Sequence, residues 1–215
     1  MRGIFITFEG IEGSGKTTLM DLVAKALRDS GLDPLLSREP GGTDLGTSLR
    51  NVLLDPGAAG MEAVTELMLF GADRAQHAAE VVRPALEAGR VILCDRFSDA
   101  TLAYQGYGRG IPLETVKAVD GAARGGLRPD MTVLLDLPAE LGLERAKKRN
   151  RLGADQSESR IDEEELTFHQ RVREGYLRIM REDPERFLLL DGGLRPPELS
   201  ETVIRELAAR FPHVF

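Results

Sequence analysis

Residues 10–17 read Gly10-Ile11-Glu12-Gly13-Ser14-Gly15-Lys16-Thr17, a complete G-x-x-x-x-G-K-[ST] pattern. Glycines at this spacing let backbone N–H groups curl around an anion, and the unpaired donors of a following helix start add to the attraction. In such a loop Lys16 reaches the β- and γ-phosphates of a nucleoside triphosphate, the Thr17 hydroxyl is placed to ligate Mg²⁺, and Glu12, Ser14 and Thr18 lie in or beside the cradle. The plainer alternative is a glycine-rich turn with an incidental lysine. Context argues against it: the apolar run Ile4-Phe5-Ile6-Thr7-Phe8 precedes the loop as a buried strand would, and Leu19, Leu22, Val23, Ala26 and Leu27 follow at helical spacing.

Other residues with chemical potential stand where apolar runs end. Asp95 closes Val91-Ile92-Leu93-Cys94 and is placed to hold the metal or its waters, although it also suits a helix cap or an ion pair with Arg96. Arg38 ends a second run. The segment about 147–161 is polar, carries Arg149, Arg151 and Arg160, and lies between two helical patterns. Alone it reads as a solvated interhelical loop. Beside a nucleotide it reads as a mobile flap, since phosphoryl transfer asks for alignment and positive charge around the travelling group. A GTPase switch begins with the same loop, but no Asn-Lys-x-Asp occurs and no Asp-x-x-Gly follows the third strand. Extra arginines at Arg38, Arg74 and Arg96 fit a small-molecule kinase with an anionic acceptor.

Strands are predicted over 3–9, 33–37, 90–94, 131–137 and 187–190. Helices are predicted from the phosphate loop to Ser30-Gly31, over 45–53, over about 62–88, and over the closing segment with Leu199, Val203 and Leu207. Alternation of this kind implies an α/β fold, a doubly wound parallel five-stranded sheet, in one domain spanning 1–215. Ligands on such sheets sit beyond the carboxyl ends of the strands, so the phosphate loop, Arg38-Glu39-Pro40 and Asp95-Arg96 should converge in one cleft.

The net charge of −7 speaks against a nonspecific nucleic-acid or membrane binder, so anions must be held by local arginine clusters. The lone cysteine, Cys94, allows no internal disulfide and reads as a buried packing thiol. With no cleavage site behind the first strand and no long apolar span, the expected setting is the cytoplasm.

Over most of its length the sequence resembles the thymidylate kinases. The resemblance rests on Phe8-Glu9-Gly10 through Lys16-Thr17-Thr18, Arg38-Glu39-Pro40-Gly41-Gly42-Thr43, Leu69-Phe70 with Arg74, Asp95-Arg96-Phe97 through Ala103-Tyr104-Gln105-Gly106, and Arg160-Ile161 followed by Phe168 and Arg173-x-x-Tyr176. It implies the P-loop NTPase fold with a lid, transfer of phosphoryl from ATP to dTMP with Mg²⁺, and a homodimer. It also implies that Arg38 and Arg96 grip the acceptor phosphate and Phe70 stacks on thymine. By the same resemblance Arg74, Thr101 and Gln105 contact the base, Glu12 reads the sugar 3′-hydroxyl, and Tyr104 packs against C2′. Arg145 resembles a residue that stacks on adenine. Two departures stand out: Ala100 replaces a serine common in the family, and the lid runs Arg149-Asn150-Arg151 then Gln156-Ser157-Glu158-Ser159. With no arginine at the variable loop positions, the chain resembles the subgroup whose catalytic arginine is in the lid. The competing readings are a kinase for another nucleoside, nucleotide or metabolite, and a nucleotide sensor without transfer activity.

Overall fold

A computed structural model describes residues 2–151 and 160–214. The first strand, β1 (Ile4–Glu9), is buried throughout and lies at the centre of a five-stranded sheet of order β2-β3-β1-β4-β5. Here β2 is Leu35–Arg38, β3 is Val91–Asp95, β4 is Met131–Asp136 and β5 is Phe187–Asp191. All pairings are parallel, which explains why the central strands read as continuous apolar runs: helices cover both faces. The expected second strand begins two residues late. Pro34 has no N–H to give a ladder, so pairing starts at Leu35.

Alternation along β1 divides the core. Ile4, Ile6 and Phe8 pack with Leu19, Val23 and Leu27 of α1 (Lys16–Asp29) and with Val203 and Leu207 of the closing helix, Pro196–Arg210. Phe5 packs on the opposite face with Val82, Leu86, Ile92 and Phe97, where Cys94 is a fully buried packing residue, as expected. Burying these side chains is worth about 1.5–3 kcal/mol each, and their main consequence here is a rigid frame. Phe8 and Arg38 both pair with Asp95, so the carboxyl ends of β1, β2 and β3 are level and adjacent.

After α2 (Asp44–Leu54), the helix expected over 62–88 forms as α3 (Ala63–His77), widens through a π-helical turn at Ala78–Val82, and resumes as α4 (Arg83–Glu87). A second π-helical stretch, Leu102–Gly108, follows the short α5 (Ser98–Thr101), and α6 covers Leu113–Arg124. Sequence patterning does not single out these three. The helix α7 (Ala139–Arg151) runs into the first residues of the segment expected to be a flap, and α8 (Leu166–Glu182) follows it. Residues 152–159 lie outside the described set. Arg160, Ile161 and Asp162 are buried, so the far end of the expected flap is packed against the body of the protein.

Candidate active site

The loop after β1 has the backbone its glycines require. Gly10 and Gly13 have φ of 140° and 68°, and a Cβ at Gly13 would stand 2.1 Å from the Gly142 carbonyl oxygen. Gly15 begins α1 in the left-handed conformation with no side-chain cap, leaving the first N–H groups of the helix to an anion. Lys16 Nζ donates to the carbonyls of Gly10 and Ile11 at 3.0 and 2.8 Å, which arches the loop over its own ammonium. Burial and the nearby Arg96 charge push Lys16 down to about 8. Thr18 is exposed on the first turn of α1, and Ser14 is buried beneath the loop.

Arg96 is the residue on which the site is built. Its φ of 73° is the one left-handed value at a non-glycine position among the described residues, a conformation that costs roughly 1–2 kcal/mol and persists only where surroundings enforce it. The enforcement is visible. Nη1 donates to Tyr176 Oη at 3.0 Å, Nη2 donates to Glu12 Oε1 at 2.8 Å and to Tyr104 Oη at 3.0 Å, and the guanidinium lies over the Tyr104 ring. Tyr104 donates in turn to Glu12 Oε1 at 2.6 Å, and His169 Nδ1 stands 3.2 Å from Glu12 Oε2. Burial works against the charge on Glu12, but His169, Arg96 and Lys16 more than reverse it and hold the carboxyl well below the usual range.

Beneath this layer Glu9 accepts from the Phe97 N–H at 2.8 Å and from Tyr176 Oη at 2.7 Å. Burial, with Asp99 nearby, raises Glu9 to about 7 despite Arg96. A carboxyl that holds its proton more tightly folded than unfolded makes the native state the better proton binder between about pH 4.5 and 7. Stability therefore falls through that window as pH rises. Replacing Glu9 by glutamine is expected to flatten this part of the urea-unfolding profile relative to the parent. Parallel profiles from pH 4.5 to 8 would contradict the assignment. Glu12 acts with opposite sign and only in acid, below its unfolded value, so the two contributions separate.

A cleft of about 540 Å³ opens above these strand ends, a size suited to small-molecule ligands. Its lining brings together Glu12, Gly13, Lys16, Thr17, Arg38, Phe70, Arg74, Asp95, Arg96, Thr101, Tyr104, Gln105 and Arg149. Arg38 is exposed there and makes no ion pair among the described residues. Phe70, which its helix alone would place in the core, stands half-buried on the wall. Arg74 is almost fully buried and bonded to Glu39, Thr101 and Asp120. Gln105 gives one amide N–H to Glu66 at 2.8 Å, which leaves its carbonyl oxygen and second N–H.

Thr17 Oγ1 donates to Asp95 Oδ2 at 2.8 Å, and Asp95 Oδ1 is buried with no hydrogen-bond partner. A hydroxyl and an orphaned carboxylate oxygen at the foot of the phosphate loop are the hard donors that suit Mg²⁺.

The three lid arginines part company. Arg149 lines the cleft with Asp162 at 3.7 Å. The side chain of Arg151 lies outside the described residues. Arg160, expected in the cleft, is instead only 4% exposed, with Nη2 2.6 Å from Glu66 and further bonds to the Leu53 carbonyl. It is absent from the cleft lining. The reason is Glu66, a buried carboxylate that also accepts from Gln105 and Arg109 and that burial alone would penalise heavily. Arg145 is likewise absent from the lining. It donates to the Gly192 carbonyl at 2.8 Å, and its Cβ flanks Gly13 on the outer side of the phosphate loop.

Residues 8–203 match the family model for thymidylate kinase. The chain belongs to the thymidylate kinase family. It is 56% identical to the thymidylate kinase of Desulfovibrio desulfuricans over 91% of this chain and 90% of that protein. It is 50% identical to that of Nitratidesulfovibrio vulgaris over 94% of each chain. The thymidylate kinase of Trichlorobacter lovleyi is 47% identical over 96% of this chain and 98% of its own length. Thymidylate kinases are nucleoside monophosphate kinases, and this chain is an enzyme of that class. Among the described residues no helix is long and apolar enough to cross a membrane.

Glu39 stands in a segment expected at the cleft and lines it, whereas sequence patterning gives Glu9, Tyr176 and His169 no part in the site. Tyr176 shows a helical period and a place in the family pattern but no role, and its link to Glu9 spans 167 residues.

Proposed function

We propose that the enzyme transfers the terminal phosphoryl group of ATP to dTMP, giving ADP and dTDP. The observation that carries this reading is the shared cleft: the phosphate loop, the cationic Arg38 and Arg96, and an aromatic wall with Arg74 behind it line one space. Lys16 and the loop N–H groups hold the donor's phosphates. Thr17 and Asp95 would hold Mg²⁺, which when bound would neutralise charge on those phosphates. Arg38 and Arg96 grip the acceptor phosphate from two sides, and forked charge-assisted hydrogen bonds fix it for in-line attack. Phe70 stacks on the base, Arg74 with Thr101 and Gln105 reads its edge, Glu12 holds the 3′-hydroxyl, and Tyr104 crowds C2′ against a ribose hydroxyl. Arg145, whose Cβ flanks Gly13, stacks on the adenine from outside the cleft. Assays with dTMP, dUMP, dCMP and thymidine test this reading. Strong preference for dTMP over dCMP, with dUMP reduced modestly because a methyl group is worth only about 1–3 kcal/mol, is expected. Equal turnover of dCMP, or tight ATP binding without any phosphorylated acceptor, would overturn it.

Of the lid arginines, Arg149 stabilises transition-state charge, with Arg151 as the alternative. Arg149→Ala is expected to lower kcat by about 10²-fold or more while KM for ATP changes little. Arg160→Ala, by contrast, should lower thermal stability, because it takes from the buried Glu66 carboxylate one of its two guanidinium partners and leaves Arg109 and Gln105 to hold it. The reverse pattern, a stable Arg160 variant with crippled turnover, would return the catalytic role to Arg160.

The enzyme works as a homodimer. Leu45 and Val52 on α2 and Val64 and Met68 on α3, each pair on one face of its helix, are about half exposed, and apolar stripes on neighbouring helices fit a second copy. Sedimentation should give twice the 23.6 kDa chain mass, and Met68→Glu should reduce it to one.

A further inference from the structure

The geometry points to a buried relay, Ser37–His77–Glu39, that fixes the guanidinium of Arg74 and so sets the enzyme's preference among pyrimidine bases. The inference rests on the reading that Arg74 faces the acceptor base. His77 ends α3 and is fully buried. Its Nδ1 lies 2.7 Å from Glu39 Oε1 and its Nε2 lies 2.6 Å from Ser37 Oγ. Glu39, itself 4% exposed, already accepts from Arg74 through Oε2. A carboxylate facing a guanidinium accepts again at its other oxygen, which assigns the imidazole proton to Nδ1. Nε2 then accepts from the Ser37 hydroxyl. The ring is also wedged. A Cβ on Gly42 would stand 2.6 Å from His77 Cδ2 and 2.9 Å from Nε2, so the backbone at Gly42 leaves no space for it to turn.

The effect is felt at Arg74. Of the five N–H groups of a guanidinium, Nε donates to Glu39 Oε2 at 2.8 Å and Nη1 donates to both Thr101 Oγ1 and Asp120 Oδ1, at 2.7 and 2.9 Å. Nη2 stands 2.8 Å from the same Glu39 oxygen, and the plane is held 5.2 Å from the Phe97 ring centre. One N–H, on Nη2, is left over on a side chain that lines the cleft. A single fixed donor prefers a base edge with a carbonyl oxygen and is mismatched to one with an amino group. A guanidinium free to tilt would lose that discrimination. Ser37 and His77 are thus positioning residues, acting through Glu39.

The test is the ratio of kcat/KM for dTMP to that for dCMP, measured in His77→Leu, His77→Asn, Ser37→Ala and Arg74→Ala. His77→Leu should lower the ratio about tenfold or more with KM for ATP nearly unchanged. His77→Asn, whose amide still donates to Glu39, should restore most of it, and Ser37→Ala should lower it about threefold. If His77→Leu prevents folding, the His77→Asn and Ser37→Ala variants decide by the same ratio. Rates for both acceptors falling by one common factor would reduce the relay to packing and overturn the inference. An unchanged ratio in Arg74→Ala would instead remove the base reading itself. A ratio that collapses in Arg74→Ala but survives in the relay variants would refute the relay alone.

Discussion

Replacing Lys16 by alanine should lower kcat by about 10³-fold or more and leave the protein folded. On the proposed function Lys16 is the cation that meets the donor's phosphates, and preorganised charge in a water-poor site is worth far more than the same charge in solution. Its ammonium is held by the Gly10 and Ile11 carbonyls, so the charge already stands at the loop when phosphate arrives. Losing two such bonds costs about 1–2 kcal/mol of stability, a shift of a few degrees in Tm for a chain of this size. Circular dichroism and a coupled ADP-release assay measure the two effects. Near-normal turnover would reject the phosphate-loop assignment, and a protein that no longer folds would make Lys16 a structural residue first.

Arg96→Ala should cost at least about 10³-fold in kcat/KM for dTMP, with a much smaller effect on KM for ATP. Removing the guanidinium takes away the proposed acceptor grip and also deprives Glu12, Tyr104 and Tyr176 of their common partner. The backbone adds a second, separable expectation. At φ of 73° alanine retains the Cβ penalty and glycine does not. Arg96→Gly should be as inactive as Arg96→Ala but more stable by about 1 kcal/mol in urea titration. Equal stabilities would mean that the left-handed backbone is unstrained. A kcat/KM within tenfold of the parent in both variants would place the acceptor phosphate elsewhere.

The apolar runs give away the sheet because a strand covered on both faces has nothing polar to hide, as in Ile4–Phe8 and Val91–Cys94. The phosphate loop is legible for a related reason, since its spacing is itself the geometry. The region 98–124 is not legible. Its π-helical stretch breaks the 3.6-residue period, and the glycines at Gly106, Gly108 and Gly110 resemble loop punctuation. The arginines show the limit most clearly. Arg149 and Arg160 look alike in a polar segment, and only the buried Glu66, ninety-four residues before Arg160, separates a cleft residue from an anchor. Ser37 and His77 are silent, and Glu39 shows its place at a strand end but not its pairing, because their partners are 35–40 residues away. Long-range pairing of buried charges leaves no local period to detect.

On the proposed function, donor and acceptor meet phosphate to phosphate in the cleft between Lys16 and Arg96. A pentaphosphate joining adenosine and thymidine through their 5′-oxygens spans such a meeting in one molecule, and linked halves bind better than either nucleotide alone when their sites are contiguous. Steady-state inhibition should be competitive against both ATP and dTMP, with affinity above that of either, and Lys16→Ala and Arg96→Ala should each weaken it. Competition against ATP alone, with dTMP still binding to the inhibited enzyme, would contradict the account.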